Sequence, residues 1–248
     1  MRQFLGIAIS LLFFYNAAWG QIWLKLEEPG SDLMLEAFQN RLPDENAGKI
    51  HGRTYFNPYP GIENHQYFKT HKLSQGMLYT LNDTIVSIPI RYDLYRDKLI
   101  VFSSYAKAMI ELEEEFITHF QLRIKGSNTS YRFINTKFIK DFPESFWPGF
   151  HQLVYDSPGL SIYKKHLKTF SREPKGSFYV VVFTGKEQLL FKHGEHYTHV
   201  RKKKDLLKQY PGFEKEIKRY LRESKIRIKQ AGDVELRALG DYLKHLGG

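Results

Sequence analysis

The stretch GMLYTLNDTIVSIPIRYDLYRDKLIVFS, residues 76–103, decides the fold, because it contains three runs typical of β-strands separated by two turns. In the middle run, residues 86–92, apolar side chains alternate with polar or small ones, as in an antiparallel strand with one buried face. Asx-rich segments at 82–83 and 93–97 supply the turn residues. Pro89 has no backbone N–H, so we expect this strand to lie at a sheet edge or to carry a bulge.

A second set of strands is predicted after Lys140. Its runs are residues 150–155, 160–170, 178–184 and 187–191, with a tight turn at 185–186 between the last two. The segment YVVVF, residues 179–183, is apolar throughout, which predicts a strand buried on both faces. The meanders before and after Lys140 could form separate sheets of one domain.

The segment between the two meanders has two interpretations. Its large apolar residues follow four-three-four-four spacing, which favours an amphipathic helix: Tyr105, Met109, Leu112, Phe116 and Phe120. The same segment can also be divided into two strands, residues 109–112 and 116–124, around an acidic run.

Near the C-terminus the spacing of apolar residues changes to the period of an α-helix. Helices are predicted at 202–209, at 213–221 and after Asp233, which we expect to cap a last helix with four leucines on one face. The predicted fold class is therefore α+β, mainly β, with antiparallel meanders followed by a short basic C-terminal helical region. The predicted organisation is 76–200 as the antiparallel β region and 201–248 as basic helices.

The N-terminal twenty residues have the pattern of a signal peptide. Arg2 precedes an apolar run over residues 4–15, and small residues at 18 and 20 predict cleavage before Gln21. Residues 21–75 are then predicted as a helix, near 32–41, followed by an aromatic loop region. We expect an exported protein, periplasmic or extracellular, with no transmembrane span after cleavage. Because the chain has no cysteine, neither a lipid anchor nor disulfides are expected.

The net charge of +10 is concentrated near the C-terminus. Residues 201–230 contain twelve Lys or Arg and four Asp or Glu, so the rest of the chain is close to neutral. The predicted anion-binding surface is Arg201, Lys202, Lys203, Lys204 and Lys208. Anionic lipid headgroups or envelope polysaccharide are the expected partners, and export argues against nucleic acid. The alternative is a solvated helical face.

Histidines are concentrated in the segment HGEHYTH, residues 193–199. His193, Glu195, His196 and His199 are a candidate metal site, since imidazole suits zinc, copper or nickel. On a strand, however, His196 and His199 point to opposite faces, so the alternative is a polar hairpin with solvated histidines.

The sequence contains no nucleophile elbow, phosphate-binding loop or dinucleotide fingerprint, and it predicts no cofactor. Asp93, Asp97 and Asp156 fall at predicted turns, where short carboxylates accept hydrogen bonds from backbone amides. We therefore expect a non-enzymatic envelope protein with a structural or binding role. The alternative is an envelope hydrolase in which carboxylates or histidines from the two meanders converge across a cleft.

The order of these features resembles a broad group of uncharacterised exported proteins from Bacteroidota. The resemblance rests on RYDLYRDKL at 91–99, on LSIYKK at 160–165 and on the segment 203–218, and it covers roughly residues 59–246. It implies strands over 106–124 and an exported protein, and it implies no particular activity.

Overall fold

The structure, a computed structural model, describes residues 52–59, 64–81, 84–103, 105–127 and 129–246. The chain divides into two compact units, Met1–Glu45 and Asn46–Gly248, and all described residues belong to the second. The predicted signal peptide, its cleavage site and the predicted helix at 32–41 lie outside the described residues.

Eleven antiparallel strands form one sheet in the described part of the chain. The strands are β1 (Gly52–Thr54), β2 (Ser74–Thr80), β3 (Thr84–Asp93), β4 (Lys98–Ser103), β5 (Ala108–Leu112), β6 (Ile117–Arg123), β7 (Ser130–Asn135), β8 (Phe150–Ser157), β9 (Leu160–Lys175), β10 (Phe178–His193) and β11 (His196–His199). Their order in the sheet is β1-β5-β4-β3-β2-β6-β7-β8-β9-β10-β11. The mainly β prediction is confirmed, but the two meanders join into one sheet because β7 pairs with β8.

The opening meander is confirmed as strands β2, β3 and β4. Strand β3 lies between β2 and β4, so the expectation of an edge position for Pro89 is wrong. The alternative expectation, a bulge, is confirmed: the β2–β3 register shifts between Gly76 and Leu78, next to the pair formed by Gln75 and Pro89. The ladder with β4 extends from Ile90 to Asp93 and does not include Pro89.

The segment from Ala108 to Arg123 forms strands β5 and β6, so the helix that the spacing favoured is wrong. A short 3-10 helix, Glu114–Phe116, separates the two strands. Strand β5 pairs with β4 on one side and β1 on the other. These backbone hydrogen bonds to other parts of the chain outweigh the helical spacing, since β-structure depends on its neighbours more than helix does.

Strands β9 and β10 form a hairpin of sixteen residues on each side. Its turn contains Gly176, so the turn predicted at Gly185-Lys186 is wrong: that dipeptide lies within β10. The outer half of the hairpin extends beyond β8, which pairs only with the first residues of β9. For this reason the prediction that residues 179–183 are buried on both faces also fails, with Tyr179 at 73% exposure.

The first core consists of apolar side chains on one face of β2 to β8. At its centre the rings of Phe120 and Phe133 stack with centroids 4.7 Å apart. Tyr92, on β3, contacts Phe133, on β7, at 5.1 Å. Because β2 and β6 lie between these strands, a flat sheet would hold their backbones roughly 14 Å apart. The sheet therefore curves so that its apolar face packs against itself.

The second core lies between β8–β10 and three helices, α1 (Lys203–Leu207), α2 (Glu214–Glu223) and α3 (Asp233–Leu246), with a 3-10 helix at Ile228–Gln230. Ile217 and Leu221 of α2 are buried, which confirms that the basic C-terminal region packs against the sheet. Within the described residues, no helix has the length and apolar character needed to cross a membrane.

Gly240 gives a test of how α3 packs on the sheet. A Cβ atom at this position would lie 2.5 Å from Cγ of Tyr155 on β8. Alanine normally stabilises a helix interior relative to glycine by about 1 kcal/mol, but here we expect Gly240→Ala to lower the free energy of unfolding by about 1–3 kcal/mol through overpacking. Urea denaturation measures the change. In a Tyr155→Ala background the same substitution should be neutral or stabilising, and equal losses in both backgrounds would contradict this packing.

Candidate functional site

Two adjoining cavities of about 490 and 320 Å³ form a groove beside β10. We call this surface the basic groove. One wall is the segment 186–189 of β10, another is the chain that leaves β11, from His199 to Lys203, and the floor includes the 3-10 helix Ile228–Gln230. Ile228 and Lys229 border both cavities, so the two form one continuous concavity.

The groove exists because β11 is much shorter than β10. Strand β11 pairs with residues 190–193 of β10, and the last contact is the Val200 N–H donating to the carbonyl of Leu189 at 3.0 Å. After Val200 the chain turns away from the sheet and enters α1. The edge of β10 at residues 186–188 is therefore not paired with β11. The Asp205 carboxylate fixes this turn by accepting from the backbone N–H groups of Arg201 and Lys202, each at 3.0 Å.

The groove is strongly cationic. Among the described residues, six Lys or Arg and one carboxylate line it; the cations are Lys186, Arg201, Lys202, Lys203, Arg227 and Lys229. None of the six forms an ion pair with an Asp or Glu among the described residues. Their charge is therefore available to an external anion.

The predicted anion-binding surface corresponds only in part to this groove. Arg201, Lys202 and Lys203 line it, whereas Lys204 and Lys208 are exposed but border neither cavity. The five predicted residues did not include Lys186, which lies in the strand hairpin far from the basic run, or Arg227 and Lys229, which belong to the basic stretch 201–230 but follow its first cations by about twenty residues.

Glu187 is the carboxylate of the groove, and a closed ring of polar contacts holds it. His166 Nδ1 contacts Glu187 at 3.1 Å, and Lys164 Nζ lies 3.4 Å from its other oxygen. Lys164 also binds Asp233 at 2.7 Å, and Gln152 bridges Asp233 and His166 at 2.6 and 2.7 Å. The hydrogen bond from His166 and the charge of Lys164 lower the pKa of Glu187 to about 2, so this carboxylate stays ionised.

The same ring corrects the role predicted for Asp233. It is the first residue of α3, but its carboxylate binds Lys164 and Gln152. The first turn of α3 is instead stabilised by Gly232, whose carbonyl accepts from Leu236 and whose N–H donates to Glu235. Asp233 thus ties α3 to β8 and β9.

Gln188 and Trp147 line the larger cavity together with Glu187. Successive side chains of a strand point to opposite faces, so the open edge of β10 is where Glu187 and Gln188 can both border one cavity. Trp147 precedes β8 with a strained positive φ of 54° and is 41% exposed, and its ring is edge-on to His199 at 5.9 Å. Burial, together with the charge of Arg201, lowers the pKa of His199, which favours a neutral ring beside the cations.

The histidines of the candidate metal site are separated. His193 stacks on Tyr210 with centroids 4.9 Å apart, Glu195 and His196 are exposed at the hairpin turn, and His199 faces Trp147. Across the described residues, no three His, Cys, Asp or Glu side chains are grouped so that they could hold a metal ion. The geometry therefore gives the metal hypothesis no support, because the strand directs His196 and His199 away from each other.

The three carboxylates considered for hydrolysis have separate structural partners. Asp93 is buried and accepts from two backbone N–H groups in its turn. Asp97 binds Lys165 at 2.6 Å, and Asp156 accepts from Ser161 at 2.7 Å. Ser161 and Lys165 are four residues apart on β9, about 13 Å along the strand, so Asp97 and Asp156 do not share a site.

Comparison of the chain with models of known families, with curated proteins and with solved structures finds no match. The resemblance to exported Bacteroidota proteins therefore stays a prediction, and the geometry of the groove is the basis for its functional interpretation.

Proposed function

We propose that this protein is an exported, non-enzymatic binding protein that holds anionic groups of cell-envelope material in its basic groove. Export rests on the predicted signal peptide, and binding rests on the groove. The anionic groups that fit are the phosphates or carboxylates of lipid headgroups or of envelope polysaccharide.

The observation that carries the proposal is the convergence of cations from three separate parts of the chain. Lys186 comes from β10, Arg201, Lys202 and Lys203 come from the chain after β11, and residues 227–229 come from the segment before α3. A solvated helical face would use one segment and would be convex. A concave surface lined by one sign of charge concentrates the electrostatic field and attracts counter-ions.

The lining of the groove favours binding over catalysis. A hydrolase that uses two carboxylates needs one of them protonated to act as a general acid. Glu187 is ionised, with a pKa of about 2, and is held by His166 and Lys164. It is the one carboxylate among the described residues that line the two cavities.

The proposal predicts salt-dependent binding of a polyanion through the groove. We expect inorganic polyphosphate to bind at low salt and Lys202→Ala/Lys203→Ala/Lys229→Ala to weaken binding on the order of 100-fold, at about 1 kcal/mol per cation. Fluorescence anisotropy with labelled polyphosphate at two ionic strengths measures both effects, because screening weakens exposed charge interactions.

A matched control removes the same charge outside the groove. Lys204→Ala/Lys208→Ala/Lys218→Ala changes three exposed lysines that border neither cavity, and it should weaken binding only a few-fold through long-range attraction. Equal losses in the two triple variants, or no binding by the unchanged protein, would show that the groove is not an anion site.

A further inference from the structure

We infer that the ligand of the basic groove is an acidic polysaccharide, in which sugar rings carry both carboxylates and free hydroxyl groups. This inference rests on the proposed function and names its ligand. Three features of the groove other than its net charge support the inference. They are a buried hydrogen-bond acceptor that has no donor, an exposed aromatic ring and an ionised carboxylate.

The acceptor is the side-chain oxygen of Gln188. Gln188 lines the groove, is only 7% exposed, and its Oε1 accepts no hydrogen bond from any described residue. A buried acceptor left without a donor is costly, so a ligand that supplies one gains affinity. Ionised phosphates and carboxylates have no proton to donate, whereas a sugar hydroxyl donates readily.

The aromatic ring is that of Trp147. It lines the larger cavity, and its backbone is held in the left-handed region, which is unfavourable for a bulky residue. Such strain, kept where a side chain is partly exposed, occurs at binding sites. The flat indole face can pack against the C–H face of a pyranose ring, which a linear chain of phosphates does not offer.

The carboxylate is that of Glu187, which remains charged among the six cations. It repels the anionic groups of any ligand, but it accepts hydrogen bonds from hydroxyl groups, which a sugar chain has and a polyphosphate chain lacks. The lining therefore combines cations for the carboxylates of a ligand with acceptors for its hydroxyls. A flat bilayer surface satisfies the cations but does not reach the buried oxygen of Gln188.

The experiment compares two probes of similar charge: an oligogalacturonate, with rings and hydroxyls, and inorganic polyphosphate, with neither. We expect Trp147→Ala to weaken oligogalacturonate binding roughly tenfold and Gln188→Met to weaken it by a similar, order-of-magnitude factor. Polyphosphate binding should change less than about twofold in both variants, since neither contact is available to it. Trp147→Phe should keep most of the affinity for the sugar.

The outcomes separate this inference from the proposed function. If the triple lysine variant of the groove fails to weaken either probe, the anion site itself is wrong. The sugar assignment alone is overturned by a different result, in which the triple lysine variant lowers the affinity for both probes but Trp147→Ala and Gln188→Met do not distinguish them. That is, these two variants lower the affinity for neither probe, or lower it equally for the two probes. Tighter binding of anionic phospholipid vesicles or of single-stranded RNA than of oligogalacturonate would also overturn it. Thermal denaturation of each variant tests folding; Gln188→Met removes a buried unpaired oxygen and should not lower Tm.

Discussion

Replacing Asp97 with asparagine should lower the free energy of unfolding by about 3–5 kcal/mol, because it leaves a buried lysine without its counter-ion. Lys165 is only 3% exposed, and its Nζ lies 2.6 Å from the Asp97 carboxylate. Its other polar contact is the carbonyl of Phe150 at 3.1 Å. Asp97 also accepts a hydrogen bond from the buried Tyr92 hydroxyl, so one carboxylate supports two buried groups.

Asparagine is the informative substitution because the Asp97 backbone has a φ of 56°, a conformation that asparagine tolerates. The loss in free energy of unfolding then results from removing the negative charge of Asp97 and not from backbone strain. Urea denaturation followed by circular dichroism gives the free energy. The double variant Asp97→Asn/Lys165→Met should recover most of it, since no buried charge remains. A loss below about 1 kcal/mol for Asp97→Asn would show that Lys165 is not buried as described.

Phe133→Ala should also lower the free energy of unfolding by about 3–5 kcal/mol, the range for removing a fully buried phenylalanine. Phe133 lies where the curved face of the sheet closes on itself. Its ring contacts Phe120, Phe68 and Tyr92, with centroids 4.7, 5.1 and 5.1 Å away. The surrounding rings come from separate strands and a loop, so they have little freedom to fill the cavity.

The matched control is Phe56→Ala, at a phenylalanine that is 80% exposed. Its effect should stay within about 0.5 kcal/mol, as for other surface substitutions. Chemical denaturation of both variants under the same conditions makes the comparison. Equal losses would mean that Phe133 is not in the core, and a small loss for both would contradict the curvature of the sheet.

The sequence alone predicted those elements whose signal is local. The β3 alternation and the flanking turn residues were sufficient for the opening meander, and the leucine spacing after Asp233 was sufficient for α3. The alternation and the leucine spacing are each contained within the sequence of the element that they predict. The mainly β fold class followed from counting such runs.

The segment Ala108–Arg123 shows where local signals fail. Its apolar spacing fits a helix, but its backbone pairs with β1, β4, β2 and β7. Pairing partners that are distant in sequence leave no trace in a local window, and they set the conformation because unpaired backbone groups in the sheet would be costly. For the same reason the residues of β10 were predicted as two strands with a turn at Gly185-Lys186.

The sequence predicted part of the candidate site: three of the six described cations that line the groove. The cations at 201–204 and 208 predicted an anion-binding surface, and composition alone was enough for that prediction. Only the tertiary structure decided that the cations at 201–203 face Lys186 and Lys229, that Trp147 and Gln188 line the same groove, and that Lys204 and Lys208 do not. The physical reason is that a groove is made by chain segments that meet in space, here the open edge of β10 and the turn after β11, and their meeting depends on strand register and helix packing that no single segment encodes.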